Sequence, residues 1–408
     1  MDPIRDPYPV LARMRSACPV HPLTDRSGRT GGYLVLGYDE ARQALADPRL
    51  SKNTAAFFAD KAGGRNIHPA LSQTMLATDP PDHTRLRRLA TSAFTSGAVG
   101  RLRPAIARIT DELLDQWPAE GEVDAVASLA VPLPVTVICD LLGVPEEDRD
   151  QLRAWSIDFF AAGAPERTDR ASHALARYLE QLTAAKRSSP GDSLLDALIA
   201  ARDEGARDGS DRAGGDRAGN DRTGGDRLSE AELVSLAALL VVAGHETTTA
   251  FLGNALLALL DHPAQLDLLR SEPERLPKAL DELLRYDPPV AQATFRFATE
   301  QVELGDTVIP PGSPVLVSPA AANRDPSRFA DPDRLDLTRE AGGHLAFGHG
   351  IHRCLGAQLA RAEAEIALSQ LLARFPALRL AVPRDQLTWQ PTRLVRTLTA
   401  LPLSVASA

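Results

Sequence analysis

A chain of 408 residues can bury a large core, and its apolar (44%) and charged (24%) shares are those of an ordinary globular protein. The formal net charge of −9 argues against nucleic acid or an anionic membrane as the main partner. The three cysteines lie far apart, at 18, 139 and 354, which argues against a disulfide framework and fits a reducing cytoplasm. The opening stretch "MDPIRDPYPVLARMRSACPV" holds no apolar run fit for a signal peptide or an anchor, so neither is expected.

In chain order, strand-like alternation comes first at 32–36. Apolar residues recurring at three and four then predict amphipathic helices over 101–117, 146–160, 169–187 and 192–202. Residues 203–227, "DEGARDGSDRAGGDRAGNDRTGGDR", carry seven glycines and no large apolar side chain. They bury too little to offset their ordering entropy, so a mobile surface loop inside one domain is expected, with an interdomain linker as the rival. Next, "LSEAELVSLAALLVVAGHETTTAFLGNALLALLDHP" reads as one long helix. Ser229 and Glu232 form a capping box at its start, and His262-Pro263 marks its end. Some 32 residues at ~1.5 Å each span about 48 Å. His245, Glu246 and three threonines interrupt its apolar runs, so the helix is expected to be a buried central one and not a membrane span. Short strands at 294–299, 302–309 and 314–318 lie among Pro/Gly turns such as "IPPGSP" and predict a small sheet. The fold class is therefore mostly α with small β-sheets.

The chemistry concentrates in "HLAFGHGIHRCLGAQLARAEAEIAL", residues 344–368. Gly348 and Gly350 allow a tight turn and a close approach to a flat ligand. The helix that follows Cys354 presents unpaired N–H groups and a positive end, which favour a thiolate. Two rival readings are a buried structural cysteine and a zinc site built from His344, His349, His352 and Cys354. The pattern Phe347-Gly348-x-Gly350-x-x-x-Cys354-x-Gly356 resembles the haem-ligand signature of the cytochrome P-450 family, the haem-thiolate monooxygenases. That resemblance implies a single P-450 domain over 1–408, with the long helix over a haem b (iron protoporphyrin IX) and the cysteine loop beneath it. It makes Cys354 the axial thiolate, with Phe347 packed beside the sulfur. A thiolate pushes electron density onto iron and favours O–O cleavage.

Further pieces gain meaning from the resemblance, which runs from "DPPDHTRLRRL" to the C-terminal "LPLSV". His83, Arg87, Arg296 and His352 match the cations that hold haem propionates in bacterial members; each alone would read as a surface charge. Arg296 shares a strand face with Thr294, and Phe295 and Phe297 point the other way. Glu282 and Arg285 resemble the E-x-x-R helix, a structural lock whose third partner is expected to be Arg334, with Arg339 as the alternative. "AGHETTT" resembles the oxygen-activating motif, which includes Gly244, with Glu246 as the acid and Thr247 as hydrogen-bond donor to dioxygen; threonine side chains that bond back to a carbonyl one turn earlier are expected to bend or open the helix, and His245 receives no role.

The implied function is monooxygenation of a C–H bond, by hydroxylation or epoxidation, in an apolar small molecule of secondary metabolism. Similarity to actinobacterial tailoring enzymes points to a macrolide, other polyketide or terpenoid. Desaturation, oxidative coupling, or a non-catalytic sensor or carrier on the same fold are the alternatives. Leu239, Val242, Ala243, Val290, Ala291 and Leu394 are the expected substrate contacts, and 55–76 and 160–170 the expected entrance loops. With no flavin, nicotinamide or iron–sulfur fingerprint in the chain, electrons are expected from a ferredoxin and its NAD(P)H-dependent reductase. Arg353, Arg361 and Arg88 are the candidate docking cations. Neither nucleic acid nor membrane is an expected partner, and the expected location is cytoplasmic.

Overall fold

A computed structural model describes residues 4–24, 28–58, 66–91, 94–159, 165–210, 227–392 and 394–406, without the side chains of 201 and 204–210. The chain divides into two compact units, each assembled from separated segments. One holds residues 1–52, 96–134 and 245–408; the other holds 53–95 and 135–244.

The first unit carries the described β structure. Its five-stranded sheet runs in the order Val20–Thr24, Thr30–Val35, Pro314–Val317, Arg296–Ala298, Leu50–Ser51. Thr30–Val35 and Pro314–Val317 pair in parallel; the other neighbours are antiparallel. Against this sheet packs the helix Tyr38–Ala46, which buries Tyr38, Ala41, Ala44 and Leu45 on one face. A second, three-stranded sheet joins Glu120–Asp124, Pro402–Ala406 and Arg379–Leu380. Its core includes Trp117 and Phe375, with ring centroids 5.3 Å apart. The N-terminal segment is fastened here as well. Tyr8 donates its hydroxyl to Asp287 Oδ1 at 2.5 Å, the Arg324 guanidinium lies 3.9 Å from the Tyr8 and Tyr286 ring centroids, and Arg396 donates to the carbonyls of Ile4 and Arg5.

The second unit is helical among its described residues. Arg149–Phe159, Pro165–Ser188 and Leu194–Ser210 bury Leu152, Leu175, Leu179 and Leu195 completely. The central helix, Glu230–Asp261, belongs to both residue sets. Its capping box forms as expected: Ser229 N–H donates to Glu232 Oε2 at 2.8 Å, and Glu232 N–H to Ser229 Oγ at 3.2 Å. By length and composition it could cross a membrane, but 72% of its most apolar window is buried inside the protein, as a core helix is.

Three expectations need correction. Residues 302–309 are a hairpin of Val302–Leu304 and Thr307–Ile309 and not one strand, because Gly305 turns the chain at φ 54°. The helix starting at Leu194 continues to Ser210, so the first residues of the expected 203–227 loop are helical. Ala, Arg and Glu carry it past two glycines, and most of the Asp-Arg repeat, 211–226, lies outside the described residues. Of the expected entrance loops, 55–76 contains parts of the short helices Thr54–Phe58, Pro69–Ser72 and Met75–Ala77, while 165–170 opens the helix Pro165–Ser188. Residues 59–65 and 160–164 are outside the described set.

Candidate active site

The cysteine loop is built by glycine. Gly343, Gly348 and Gly350 have φ of 90°, 71° and 73°. At Gly350 a Cβ would stand 2.8 Å from Leu45 O and 2.9 Å from Ala46 Cα, so the loop is pressed onto the end of the helix Tyr38–Ala46. Inside the loop, Gly348 N–H donates to Leu345 O at 2.9 Å and Cys354 N–H to Phe347 O at 2.8 Å. From outside, Asn323 Oδ1 accepts Leu345 N–H at 2.7 Å. Phe347 and His352 are half-buried, and the thiol of Cys354 is exposed three residues before the helix Ala357–Arg374, capped by Gly356. Among the described residues no three His, Cys, Asp or Glu side chains are grouped as a metal cage, so the zinc alternative has no geometry to rest on.

Behind the loop stands the helix Leu276–Tyr286. Glu282 and Arg285 are both 0% exposed and doubly bonded, at 2.7 and 2.9 Å. The guanidinium also donates to the carbonyls of Asn323, Pro332 and Arg334. A buried pair needs such full satisfaction to offset its desolvation. The third side chain is Arg339, whose Nε lies 3.2 Å from Glu282 Oε1. Arg334, the expected partner, contributes only its carbonyl; its side chain is 67% exposed and lies 3.8 Å from Asp336. The path of the meander, the irregular segment 323–339, decides this, since using the Arg334 carbonyl as an acceptor leaves its side chain outside.

Arg296 is buried and donates to Thr294 O at 3.2 Å, and Phe295 and Phe297 stack with centroids 6.4 Å apart. The sequence reading missed Lys52. It is buried too, bonds Thr294 Oγ1, and is the next residue opposite Arg296 in the register that pairs Ser51 with Phe297. In the other unit, His83 is buried and Arg87 half-buried on the helix Asp82–Thr91.

On the central helix, exposure forms a stripe. Ala243 is exposed, Glu246 and Thr247 are half-buried, and His245, Thr248, Thr249 and Ala250 are buried. Positions 243, 246 and 247 share one face at i, i+3 and i+4. His245 Nε2 approaches Glu246 Oε1 to 3.3 Å. Gly244 serves packing, since a Cβ there would meet Ile138 Cγ1 at 3.0 Å. One turn on, Thr248 hydrogen-bonds Glu363 of the cysteine helix. Burial pushes that carboxyl up to about 8, against the opposing pull of Thr248.

The expected substrate contacts fall into two sets. Val290 and Ala291 meet the 394–395 segment, where Ala291 N–H donates to Leu394 O at 3.0 Å and Val290 bridges Val395. Leu239, Val242 and Ala243 lie one helical turn apart, with Leu239 half-buried and Val242 buried. Of the expected docking cations, Arg353 and Arg361 line a cavity of about 790 Å³ together with Arg42, Arg328, His344, His349, Asp39 and Asp281. Burial and the neighbouring Arg42 and Arg353 hold His349 below its ordinary value. Arg361 is already committed to Asp281. Arg88 is an exposed residue of the other unit.

An exposed thiol on a glycine-shaped loop, beside a helix carrying a buried Glu–Arg lock, is the architecture of a haem-thiolate protein. Buried Arg296 and Lys52 fit the carboxylates such a group carries. The family model for cytochrome P450 matches residues 28–397. Cytochrome P450 107B1 of Saccharopolyspora erythraea is 46% identical over 98% of this chain and 95% of its own. The monooxygenase PikC of Streptomyces venezuelae is 45% identical over 98% and 91%. The tirandamycin C-bound structure of the P450 monooxygenase TamI superposes with TM-score 0.86 at 44% identity, covering 99% of this chain and 98% of that one. The chain belongs to the cytochrome P450 family. It is a P450 monooxygenase, which takes a haem, uses dioxygen and an electron-transfer partner, and acts on an apolar substrate.

Proposed function

We propose that the enzyme holds haem b on Cys354 and draws electrons from a ferredoxin served by an NAD(P)H-dependent reductase. In the cytoplasm it hydroxylates or epoxidises a macrolide, other polyketide or terpenoid. The stripe of Ala243, Glu246 and Thr247 in the middle of a mostly buried helix carries this reading, because it leaves an acid and a hydroxyl partly exposed where most neighbouring positions pack. Bound at Cys354, the haem supplies dioxygen activation and the oxidising power. In the first unit, Arg296, Lys52 and His352 offer cations for the propionates; His83 and Arg87, in the second unit, are proposed for the same role on the family resemblance alone. Glu246 holds and passes the proton, with His245 3.3 Å from its carboxyl oxygen, and Thr247 fixes the last donor of that relay. A carrier or sensor has no use for an acid–hydroxyl pair at this place. Leu239, Val242 and Ala243 in the second unit, and separately Val290, Ala291 and Leu394 in the first, are small aliphatic side chains that suit a bulky apolar substrate. An acidic ferredoxin suits the cavity of Arg42, Arg328 and Arg353.

The test measures product, hydrogen peroxide and NAD(P)H together in the reconstituted system. A substrate for it comes from screening natural products for a shift of the haem spectrum. Thr247→Ala should still consume reductant while yield per electron pair falls and peroxide rises. Glu246→Ala should slow turnover itself, by roughly 10²- to 10⁴-fold if the donor acts as positioned acids typically do. A Thr247→Ala enzyme as tightly coupled as wild type refutes the relay.

A further inference from the structure

Asp281 precedes the buried Glu282 on the helix Leu276–Tyr286 and points to different partners. Its Oδ1 accepts from His344 Nε2 at 3.1 Å and from Arg361 Nη1, while Arg361 Nη2 reaches Oδ2 at 3.4 Å and Pro277 O at 2.9 Å. His344 stands ten residues before Cys354, and Arg361 seven after it. Both shoulders of the cysteine loop are therefore tied to one oxygen atom. His344 transmits the tie inward. Its Nδ1 accepts Ala346 N–H at 3.2 Å, which leaves Nε2 as the donor to Asp281. Its ring lies 5.8 Å from that of Phe347, whose carbonyl receives Cys354 N–H. Burial works to raise the Asp281 carboxyl, but the hydrogen bonds from His344 and Arg361 outweigh it and hold the group below its ordinary value. Such charge-assisted bonds are among the stronger ones a protein makes.

We propose that Asp281 is a positioning residue for the axial thiolate: with His344 and Arg361 it clamps the loop on both sides of Cys354 and keeps the sulfur in ligating geometry. The proposal rests on the assignment of Cys354 as the axial ligand. It separates two jobs on neighbouring residues, with Glu282 locking the helix to the meander and Asp281 locking it to the cysteine loop. It also removes Arg361 from the charge offered to an electron donor, because that guanidinium is already paired.

The experiment follows the reduced, carbon-monoxide-bound holoenzyme as its spectrum converts from the thiolate-ligated to the thiol-ligated form, with far-UV circular dichroism recorded in parallel. Asp281→Ala should convert at least ten-fold faster than wild type at unchanged helical signal, since it removes the bonds from both His344 and Arg361 and one bond to a charged group is worth about ten-fold by itself. The double variant His344→Phe/Arg361→Met should match Asp281→Ala, and each single variant should fall between it and wild type. Asp281→Asn keeps the oxygen that serves both donors but loses the charge and the second acceptor, so it should convert at a rate between wild type and Asp281→Ala, which also keeps the test open if the alanine variant does not fold. Conversion of Asp281→Ala at the wild-type rate, conversion only as helical signal is lost, or an asparagine variant no better than alanine would each overturn the clamp. A wild-type protein without the thiolate-type spectrum would overturn the assignment of Cys354 together with the clamp, whereas failure confined to the variants overturns the clamp alone.

Discussion

Replacing Glu363 by glutamine should make the enzyme more stable at alkaline than at acid pH, relative to wild type. The Glu363 carboxyl is fully buried; burial pushes it up to about 8, from 4.5 in an exposed chain, with the Thr248 hydroxyl pulling the other way. Between those two values the unfolded chain has already lost the proton while the folded protein keeps it. The folded state then binds more protons, so stability falls as pH rises through this window and levels off above about 8. A window of roughly 3.5 in pH at ~1.36 kcal/mol per pH unit amounts to about 5 kcal/mol. The glutamine side chain has no proton to lose, and its oxygen can still accept from Thr248. The difference in stability, Glu363→Gln minus wild type, should therefore be small near pH 5 and grow to several kcal/mol near pH 8. For a chain of this length that corresponds to a melting shift on the order of 5 °C. Thermal unfolding of both holoenzymes, followed by circular dichroism at about pH 5, 6.5 and 8, measures it, since every other titrating group is common to the two proteins. Parallel melting-versus-pH curves would refute the reasoning and mean that Glu363 ionises in the folded state as freely as in the unfolded one.

The third partner of the Glu282–Arg285 pair gives a sharper contrast. Arg339→Met should destabilise the protein by about 1–3 kcal/mol, as expected when a buried carboxylate loses a charged donor, whereas Arg334→Met should lie within about 0.5 kcal/mol of wild type. Urea unfolding of the two variants reads the difference, and equal effects would show that the Arg339 contact contributes nothing. Gly350→Ala should lower haem content of the purified protein and speed haem transfer to an excess of apomyoglobin. Its new Cβ meets backbone atoms of Leu45 and Ala46 below 3.0 Å, at a φ that L side chains rarely adopt. Wild-type haem retention would refute the close approach.

How much of this was legible in the sequence depended on whether the signal was local. The central helix could be read to within a residue, because a capping box opens it and His-Pro closes it. The cysteine loop was equally plain, since its glycines and thiol fall within ten positions. Arg339 was harder to choose over Arg334, because both lie in a meander without periodicity and only the three-dimensional path decides which side chain turns inward. Lys52 and Glu363 were invisible for a different reason. Each looks like an ordinary surface charge, one after a short strand and one in the run "ARAEAEIAL", and burial comes from elements remote in the chain. The strands Val20–Thr24, Glu120–Asp124 and Pro402–Ala406 escaped notice similarly, being short, partly polar and paired at long range.

The fastening of the N-terminus sets an order on biosynthesis. Tyr8 waits for Asp287, 279 residues later, and the carbonyls of Ile4 and Arg5 wait for Arg396, 392 and 391 residues later. At roughly 5–20 residues per second, the nascent chain spends on the order of 15–60 s with Tyr8 and the parallel edge of Thr30–Val35 unclaimed. The second unit has all its residues by Gly244, well before the first can close. Slowing translation between about residue 250 and residue 320 therefore lengthens the life of an exposed strand edge, the form of the chain most open to chaperone capture or to pairing with another copy.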